Sequence, residues 1–465
     1  MTLLLVRFPP LRNLIPLLVE RFKGSRVLNP STLEPFNPET ERSTDPSAAA
    51  ESALPEVSLG MKHLSFVKNS GSNFAIALSH PSREDLCLTK IAKQPMKIPL
   101  LDLTRKYRAI ERELRAKWDE SLSSMRLLNG PNLAEFEREF ARYCGVKRAV
   151  GVASGTDAIQ LSLRALGVSH GDEVILAAHA PAPVIEPIFS VGATPVLADK
   201  AKGDYGPDLK SLQAAITPRT RAILPVHMLG LPCDMDAILE IAAGKNIAVV
   251  EDASQAHGAT YKGKRAAGFG AITPMSLGSV KNLACYGDGG VVLTDDDRLA
   301  DSVRLLRVHG QSEKYNHKVY GWNSRLDELQ AAVLRVKLPT LDRDNARRRE
   351  IAARYSEAFK DLPLRTPPTF PDRASVYHQY AVETTEREPL KKFLDGKGIG
   401  SGIYYPLCLH HHGAWRSQGL PTYSLPEAER YARENLALPV FAELKDDEVE
   451  YIIAAVKEYF SARGR

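Results

Sequence analysis

Three short segments carry residue types that together suit a site for a carbonyl compound. Lys281 lies in the run SLGSVKNLACYGDGGVV (276–292), Asp252 ends the apolar run NIAVVED (246–252), and an SGT turn occupies 154–156. A lysine amine forms a Schiff base with a carbonyl when its surroundings lower its pKa. An acid can keep a ring nitrogen protonated, and a turn before a helix can hold a phosphate. These are the parts that a pyridoxal phosphate site requires.

Each segment also has a plainer interpretation. The N–H groups of a helix start and the Thr156 hydroxyl can cradle a phosphate, but Ser and Thr also cap ordinary helices. Asp252 can equally cap a loop, and Lys281 taken alone resembles a surface lysine. Ser276 adds a hydroxyl near that lysine, and the glycines of YGDGG (286–290) let backbone approach a ligand. The order phosphate turn, acid, lysine favours the cofactor site.

Short apolar runs alternate with helical patterns between about 125 and 300. The runs are RAVGVAS (148–154), DEVILAA (172–178), ATPVLAD (193–199), RAILPVH (221–227), NIAVVED (246–252) and GGVVLTD (289–295). Such runs predict an α/β fold with a mostly parallel sheet that is covered by helices on both faces. Ligands bind at the carboxyl ends of such strands, where Ser154, His227 and Asp252 lie.

The chain divides into three parts. We predict a large cofactor-binding domain over 96–345 and a smaller C-terminal α+β domain over 346–465, joined by the long helical stretch 326–359. Residues 1–95 are rich in Pro, Ser, Thr and Glu and show no sustained period, which predicts a disordered extension. Because Met96 directly precedes the first regular pattern, an upstream translation artefact is the alternative.

Composition excludes several classes of function. The formal net charge of +5 and the absence of a basic block argue against nucleic-acid binding. The apolar start of the chain is interrupted by Arg and Pro, so we predict no membrane span and no signal peptide. The cysteines lack CxxC spacing, which predicts a reducing, cytoplasmic location and no metal site. The five are Cys87, Cys144, Cys233, Cys285 and Cys408.

From about Ile98 to its end, the sequence closely resembles the DegT/DnrJ/EryC1/StrS family of pyridoxal phosphate-dependent sugar aminotransferases. The resemblance rests on blocks such as SGTDAIQLSLRALGV, VVEDASQAHGATYKGKRAAGFG, KNLACYGDGGVVLTDD and GWNSRLDELQAAVLRVKL. It implies the type I aspartate aminotransferase fold and a homodimer with shared active sites. It also implies amino transfer from L-glutamate to a dTDP- or UDP-linked keto sugar, for polysaccharide or natural-product biosynthesis.

The resemblance implies a role for each site residue. Lys281 would form the Schiff base and move the proton, Asp252 would pair with the ring nitrogen, and Gln255 would bond the ring hydroxyl. The groups that would hold the phosphate are Gly155, Thr156, Ser276 and the partner subunit's Asn323. The candidates for substrate contact are His179, Tyr404, Tyr405, His410 and His411. Part of the family has histidine at position 281 and dehydrates sugars, so Lys281 favours transamination.

One departure from the family pattern opens an alternative. The run AAHAPAP (177–183) places Pro181 where the family has an aromatic residue that stacks on the cofactor, and His179 is the nearest other ring. The motif GIHYPxPLH appears as GIYYPLCLH, with Tyr404 for His and Cys408 for Pro. The alternative function is therefore a family member that has lost or altered catalysis and acts as a regulatory or binding protein.

Overall fold

The computed structural model describes residues 64–68, 74–78 and 96–462. Leu64–Lys68 (β1) and Phe74–Leu78 (β2) form an antiparallel pair, with Leu64 opposite Leu78. This pair falls in the unit Met1–Lys90, and the rest of the described chain falls in the unit Ile91–Arg465. The other residues of the 1–95 extension lie outside the described ranges, so its disorder stays a prediction.

The second unit contains strands and helices in alternation. The further strands are β3 (Arg148–Val152), β4 (Glu173–Ala177), β5 (Thr194–Ala198), β6 (Thr220–Ile223), β7 (Ala248–Val249), β8 (Thr260–Tyr261), β9 (Lys264–Arg265), β10 (Thr273–Ser276), β11 (Gly290–Thr294), β12 (Gln311–Glu313), β13 (Asn316–His317), β14 (Arg373–Ala374), β15 (Tyr380–Glu383) and β16 (Asn435–Leu438). The α-helices are α1 (Leu103–Ser124), α2 (Pro131–Cys144), α3 (Gly155–Ala165), α4 (Glu186–Ser190), α5 (Leu209–Ala214), α6 (Met235–Ala242), α7 (Asp297–Leu306), α8 (Glu328–Lys337), α9 (Leu341–Phe359), α10 (Arg387–Gly396), α11 (Gly413–Ser417), α12 (Pro426–Glu434) and α13 (Asp446–Ser461).

Seven strands form the sheet that carries the candidate site. Strands β5, β4, β6 and β7 pair in that order and are parallel, whereas β10, β11 and β3 pair antiparallel. A parallel bridge between Val250 and Ile272 joins the two groups, and the Glu251 N–H donates to the Ile272 carbonyl at 3.0 Å. Because only β11 opposes this common direction among the seven, the sheet is mostly parallel, as predicted.

Helices cover both faces of this sheet. Along β11, Val291 packs in one apolar cluster with Phe136 of α2, and the adjacent Val292 packs in another with Ile159 of α3. Successive strand residues point to opposite faces, so apolar side chains are buried on both. This two-sided burial explains why the strand sequences are continuously apolar.

The predicted strands are present, but they are shorter than their apolar runs. β7 keeps only Ala248–Val249 as ladder residues, and single bridges extend the pairing to Val250 and Asp252. The sequence pattern does not predict β10, because its four residues, TPMS, are short and contain Pro274. That strand is nevertheless important, since it leads directly to Lys281.

The C-terminal region has an apolar core of its own. Tyr355 of α9, Leu390 of α10, Leu436 of β16 and Ile452 of α13 belong to one buried cluster. The predicted domain boundary at 345/346 falls inside α9 and stays a prediction. None of the helices in the described ranges combines the length and hydropathy needed to cross a bilayer.

Candidate active site

Lys281 lies in the loop between β10 and β11. Two hydrogen bonds close this loop, from the Leu277 N–H to the Gly289 carbonyl and from the Cys285 N–H to the Leu277 carbonyl, both at 2.7 Å. The lysine side chain is partly buried, and its amine has no hydrogen-bond or ion-pair partner among residues 96–462. Burial lowers the pKa of this amine, and the charge of Asp252 partly opposes the shift. Lys281 is therefore a better nucleophile and proton carrier than a surface lysine.

Asp252 follows β7 at the carboxyl end of the sheet. Its backbone is fixed between the Pro225 carbonyl, 2.9 Å from its N–H, and the His227 N–H, 3.0 Å from its carbonyl. Its side chain is buried, and Oδ1 accepts from the Ser254 N–H at 2.9 Å. Burial raises the pKa of this carboxyl, while Ser254 and Lys281 oppose the rise. A cationic N–H placed at the other oxygen would stabilise the ionised form.

The SGT turn and Ser276 meet at the start of α3. A Cβ added to Gly155 would lie 2.4 Å from the Ser276 Cβ, so only glycine permits this approach. The Ser154 hydroxyl caps α3 by accepting from the Asp157 N–H at 3.1 Å. The first N–H groups of a helix have no acceptor inside it, so the Gly155 and Thr156 N–H groups remain to bind an anion beside the Ser276 hydroxyl.

Gln255 is buried near Asp252, but its amide is already engaged. Its Oε1 accepts from the Leu229 N–H at 2.7 Å, and its Nε2 donates to the Tyr405 hydroxyl at 3.5 Å. The long second contact leaves Nε2 able to reach another acceptor. Its predicted bond to the cofactor ring hydroxyl stays a prediction.

His179 and the two tyrosines of the substrate group form one connected cluster. The His179 Nε2 accepts from the Tyr405 N–H at 3.0 Å, and its ring packs edge-on against Tyr431. Burial lowers the pKa of His179 to about 4, so the imidazole is neutral at pH 7. Asn435 accepts from the Tyr404 N–H at 2.8 Å and donates to the Tyr405 carbonyl. His179 therefore positions Tyr405, whose hydroxyl lies beside Gln255.

The remaining predicted residues have contacts of their own, and the cavity beside Asn323 also includes Ala153, which directly precedes the SGT turn. Asn323 is exposed on the single chain, where it lines a cavity of about 380 Å³ with Asp288 and Arg325. His410 is bonded to Glu429 and packs on His411. None of these contacts includes Lys281 or Asp252, so the cofactor and substrate roles predicted for these residues stay predictions.

Pro181 lies in the loop that follows β4 and immediately precedes a 3-10 turn, Ala182–Val184. Its φ of −64° suits proline, and its carbonyl accepts from the Val184 N–H at 3.1 Å. The substitution is therefore compatible with the local backbone. It removes a ring that the family pattern places there.

Two buried histidines near the lysine were not in the predicted set of site residues. The His257 ring is buried beside the Ser276 backbone, and the His378 Nδ1 is 3.1 Å from the Asn282 Oδ1. Burial, and then the charge of Lys281, lower the pKa of both rings, that of His257 to about 3. Lys281 therefore faces two neutral imidazoles. His378 carries no sequence signal, because its run YHQY matches no periodic pattern.

Glu251, a buried acid next to Asp252, was also absent from the predicted set of site residues. Glu251 points to the other side of the strand, where its Oε1 lies 3.0 Å from the His227 Nε2. Its Oε2 accepts from the N–H groups of residues 268–270 and from the Thr273 hydroxyl. These bonds hold the pKa of Glu251 low despite its burial. The adjacent acids Glu251 and Asp252 could have indicated a structural role for one of them, because only one of two adjacent strand residues can face the ligand.

The residues fit pyridoxal phosphate. The structure supplies a primary amine without a partner, a buried carboxylate whose charge acts on that amine, and a glycine turn that abuts a serine hydroxyl five residues before the lysine. They match the aldehyde, the ring nitrogen and the phosphate of that cofactor. Together these groups can bind a carbonyl compound and move a proton at an adjacent carbon.

Known proteins resemble this chain in sequence and in fold. The model of the DegT/DnrJ/EryC1/StrS aminotransferase family matches residues 108–457. A dTDP-3-amino-3,4,6-trideoxy-alpha-D-glucose transaminase of Streptomyces venezuelae is 43% identical over 364 residues, which cover 78% of this chain and 96% of that protein. A pleiotropic regulatory protein of Geobacillus stearothermophilus is 41% identical over 369 residues, 78% of this chain and 99% of that protein. The crystal structure of Bacillus subtilis NtdA with bound cofactor PMP superposes with a TM-score of 0.74 at 27% identity, covering 80% of this chain and 86% of that one.

Proposed function

The chain belongs to the DegT/DnrJ/EryC1/StrS aminotransferase family, and on that premise we propose that it transfers an amino group from L-glutamate to a nucleotide-linked keto sugar. The named sugar-nucleotide transaminase of S. venezuelae supports this class of acceptor. The nucleotide would be dTDP or UDP. Products of this kind supply amino sugars to polysaccharides or to glycosylated natural products.

The observation that carries the proposal is the convergence of Lys281, Asp252 and the Gly155–Ser276 contact. The Lys281 charge influences the pKa of Asp252, and the Gly155 position sits against Ser276, only five residues before that lysine. A structural lysine would have an ion-pair or hydrogen-bond partner, as Lys337 has in the Ala284 carbonyl, yet the Lys281 amine has neither among residues 96–462. An unpaired, partly buried amine opposite a buried acid is the arrangement that amino transfer requires.

Pyridoxal phosphate, when bound, supplies an electron sink for the carbanion that forms at the substrate carbon. Lys281 would take the proton from that carbon as a general base and later give it up as a general acid. Asp252 would stay ionised against the ring N–H and thereby keep that sink effective. Gly155, Thr156 and Ser276 would fix the phosphate and so orient the reacting carbon over the lysine.

The sugar would approach from the Tyr404–Tyr405 segment. The Tyr405 hydroxyl is 3.5 Å from the Gln255 Nε2, so this tyrosine borders the space in front of Asp252. Asn435 and His179 fix the backbone on either side of it. We assign Tyr404 and Tyr405 to the sugar pocket on this basis, and His179 to their support.

The active unit would be a homodimer. Asn323 is exposed on the single chain, and Tyr315 and Tyr320 nearby expose 83% and 95% of their surfaces. Exposed aromatic side chains favour a protein partner. In the dimer, the partner subunit's Asn323 would reach the phosphate.

A regulatory or binding protein is the second candidate function. Pro181 favours it, because the chain lacks the aromatic ring of the family pattern. The named regulatory relative from G. stearothermophilus agrees with that class. A sugar dehydratase is disfavoured by Lys281. The aminotransferase and the regulatory protein differ in whether the purified protein catalyses repeated amino transfer.

The experiment is to incubate the purified protein with pyridoxal phosphate, L-glutamate and a panel of dTDP- and UDP-linked 3-keto and 4-keto sugars. The proposal predicts catalytic release of 2-oxoglutarate with at least one sugar, and no release by Lys281→Ala. Lys337→Ala is the control, because Lys337 is also buried but bonds to the Ala284 carbonyl. Cofactor binding without turnover on any sugar would favour the regulatory candidate.

A further inference from the structure

Two histidines and a glutamate meet outside the candidate active site. His410 and His411 lie in the 3-10 turn Leu409–His411, and Glu429 lies in α12. The imidazole centroids are 4.1 Å apart, and the His410 Nε2 is 3.3 Å from the Glu429 Oε1. One potential ligand atom from each of the three residues lies within 4.8 Å of the others.

The His410 ring has a nitrogen without a partner. His410 exposes only 7% of its surface, and its Nδ1 is buried with no hydrogen-bond partner among the described residues. A buried polar atom left unpaired costs free energy. Glu429 lies at the other ring nitrogen, Nε2, which is therefore the nitrogen that could share an ion with the Glu429 carboxylate.

The surroundings suit a cation. The Leu425 N–H donates to the Glu429 Oε1 at 3.0 Å, which holds that carboxyl group beside the His410 ring. A carboxylate oxygen and an imidazole nitrogen are ligand types that zinc accepts. Asp199 adds a second negative charge near His410, and its carboxylate is held by the Ala428 N–H at 2.8 Å.

We propose that His410, His411 and Glu429 bind a divalent transition-metal ion, with Zn²⁺ as the preferred ion. Two imidazole nitrogens and one carboxylate oxygen form a zinc ligand set whose fourth position is open to water. Metal–ligand bonds of about 2.0–2.2 Å require ligand atoms closer than 4.8 Å. His411 is exposed, so its ring can turn inward to close the site.

The ion would link the turn at 409–411 to α12. This turn follows the Tyr404–Tyr405 segment along the chain, so a bound ion would brace that segment. The site contacts neither Lys281 nor Asp252, and its existence is independent of the proposed amino transfer. Sequence spacing does not reveal it, because Glu429 is 18 residues from His411 and its helix must first fold back.

The test is a Co²⁺ titration of the full chain after treatment with EDTA, followed through the visible d–d bands of the ion and then by displacement with Zn²⁺. We expect one equivalent of Co²⁺ per chain, displaced by one equivalent of Zn²⁺. His411→Ala should weaken Co²⁺ binding at least about tenfold. His412→Ala, the adjacent histidine that is not in the cluster, should leave the affinity unchanged.

Two outcomes would overturn the proposal. One is the absence of saturable Co²⁺ binding by the wild-type chain below about 100 μM. The other is an equal affinity in His411→Ala and His412→Ala, which would place the ion elsewhere. His411 is exposed, so thermal unfolding of the metal-free His411→Ala variant should match that of the metal-free wild-type protein.

Discussion

Gly155→Ala is a sharp test of the phosphate-binding turn. The added Cβ would lie 2.4 Å from the Ser276 Cβ and 2.9 Å from the Ser276 Cα. Carbon atoms pack at about 3.5–4.0 Å, so Ser276 must retreat by about 1 Å. Ser276 cannot move freely, because it pairs with Gly290 in the sheet and its N–H donates to the Ser254 hydroxyl at 2.9 Å.

The expected loss has two parts. Overpacking of this kind lowers the free energy of unfolding by about 1–3 kcal/mol. Withdrawal of the Ser276 hydroxyl would also remove a hydrogen bond to a charged phosphate, worth about 1.5–3 kcal/mol. The Kd for pyridoxal phosphate should therefore rise by about 10- to 150-fold.

The assay compares cofactor titrations and thermal unfolding of the wild-type and variant proteins. Pyridoxal, which has no phosphate, should bind both with similar affinity. Gly413→Ala is the matched control, because its added Cβ meets nothing within 4 Å. A Gly155→Ala protein that binds pyridoxal phosphate like the wild type and unfolds at the same temperature would refute the assigned turn.

Three further predictions concern the buried polar groups. Asp252→Asn should lower the transamination rate at least about 100-fold while circular dichroism stays unchanged, and normal turnover would remove Asp252 from the site. Glu251→Ala should lower the free energy of unfolding by about 3–5 kcal/mol in urea titrations, because it leaves buried donors unpaired; a smaller loss than that of Glu251→Gln would contradict this account. Because burial lowers the pKa of His179 to about 4 and of His257 to about 3, the unfolded chain binds more protons below about pH 6.5. The free energy of unfolding should therefore fall by about 1.4 kcal/mol per pH unit for each histidine as the pH drops, and a melting temperature that holds constant from pH 7 to pH 5 would contradict it.

Much of the fold was predictable because the apolar runs are continuous and are buried on both faces of the sheet. Val291 and Val292 occupy different clusters, and such strands have a continuous apolar signature. β10 was not predictable, because its four residues derive their strand conformation from pairing with β11 rather than from local propensity. The antiparallel direction of β11 likewise depends on the loop that carries Lys281.

The residues of the candidate site were predictable where they directly follow the end of a strand. Asp252 and the SGT turn follow buried strands, so their convergence follows from the topology of a parallel sheet. His378 comes from the C-terminal region, and no local pattern links it to Lys281. Glu429 and His410 are likewise brought together by tertiary packing alone.

The roles of Lys281 and Asp252 are tested most directly by the absorption spectrum of the purified protein, reconstituted with pyridoxal phosphate, before and after addition of L-glutamate. We expect a visible band that is lost on addition of L-glutamate and returns with a suitable keto sugar. We also expect that reduction with borohydride attaches the cofactor to Lys281. A protein that takes up no cofactor, or one whose visible band is unchanged by L-glutamate, would contradict the assignment of Lys281 and Asp252 as the centre of an aminotransferase.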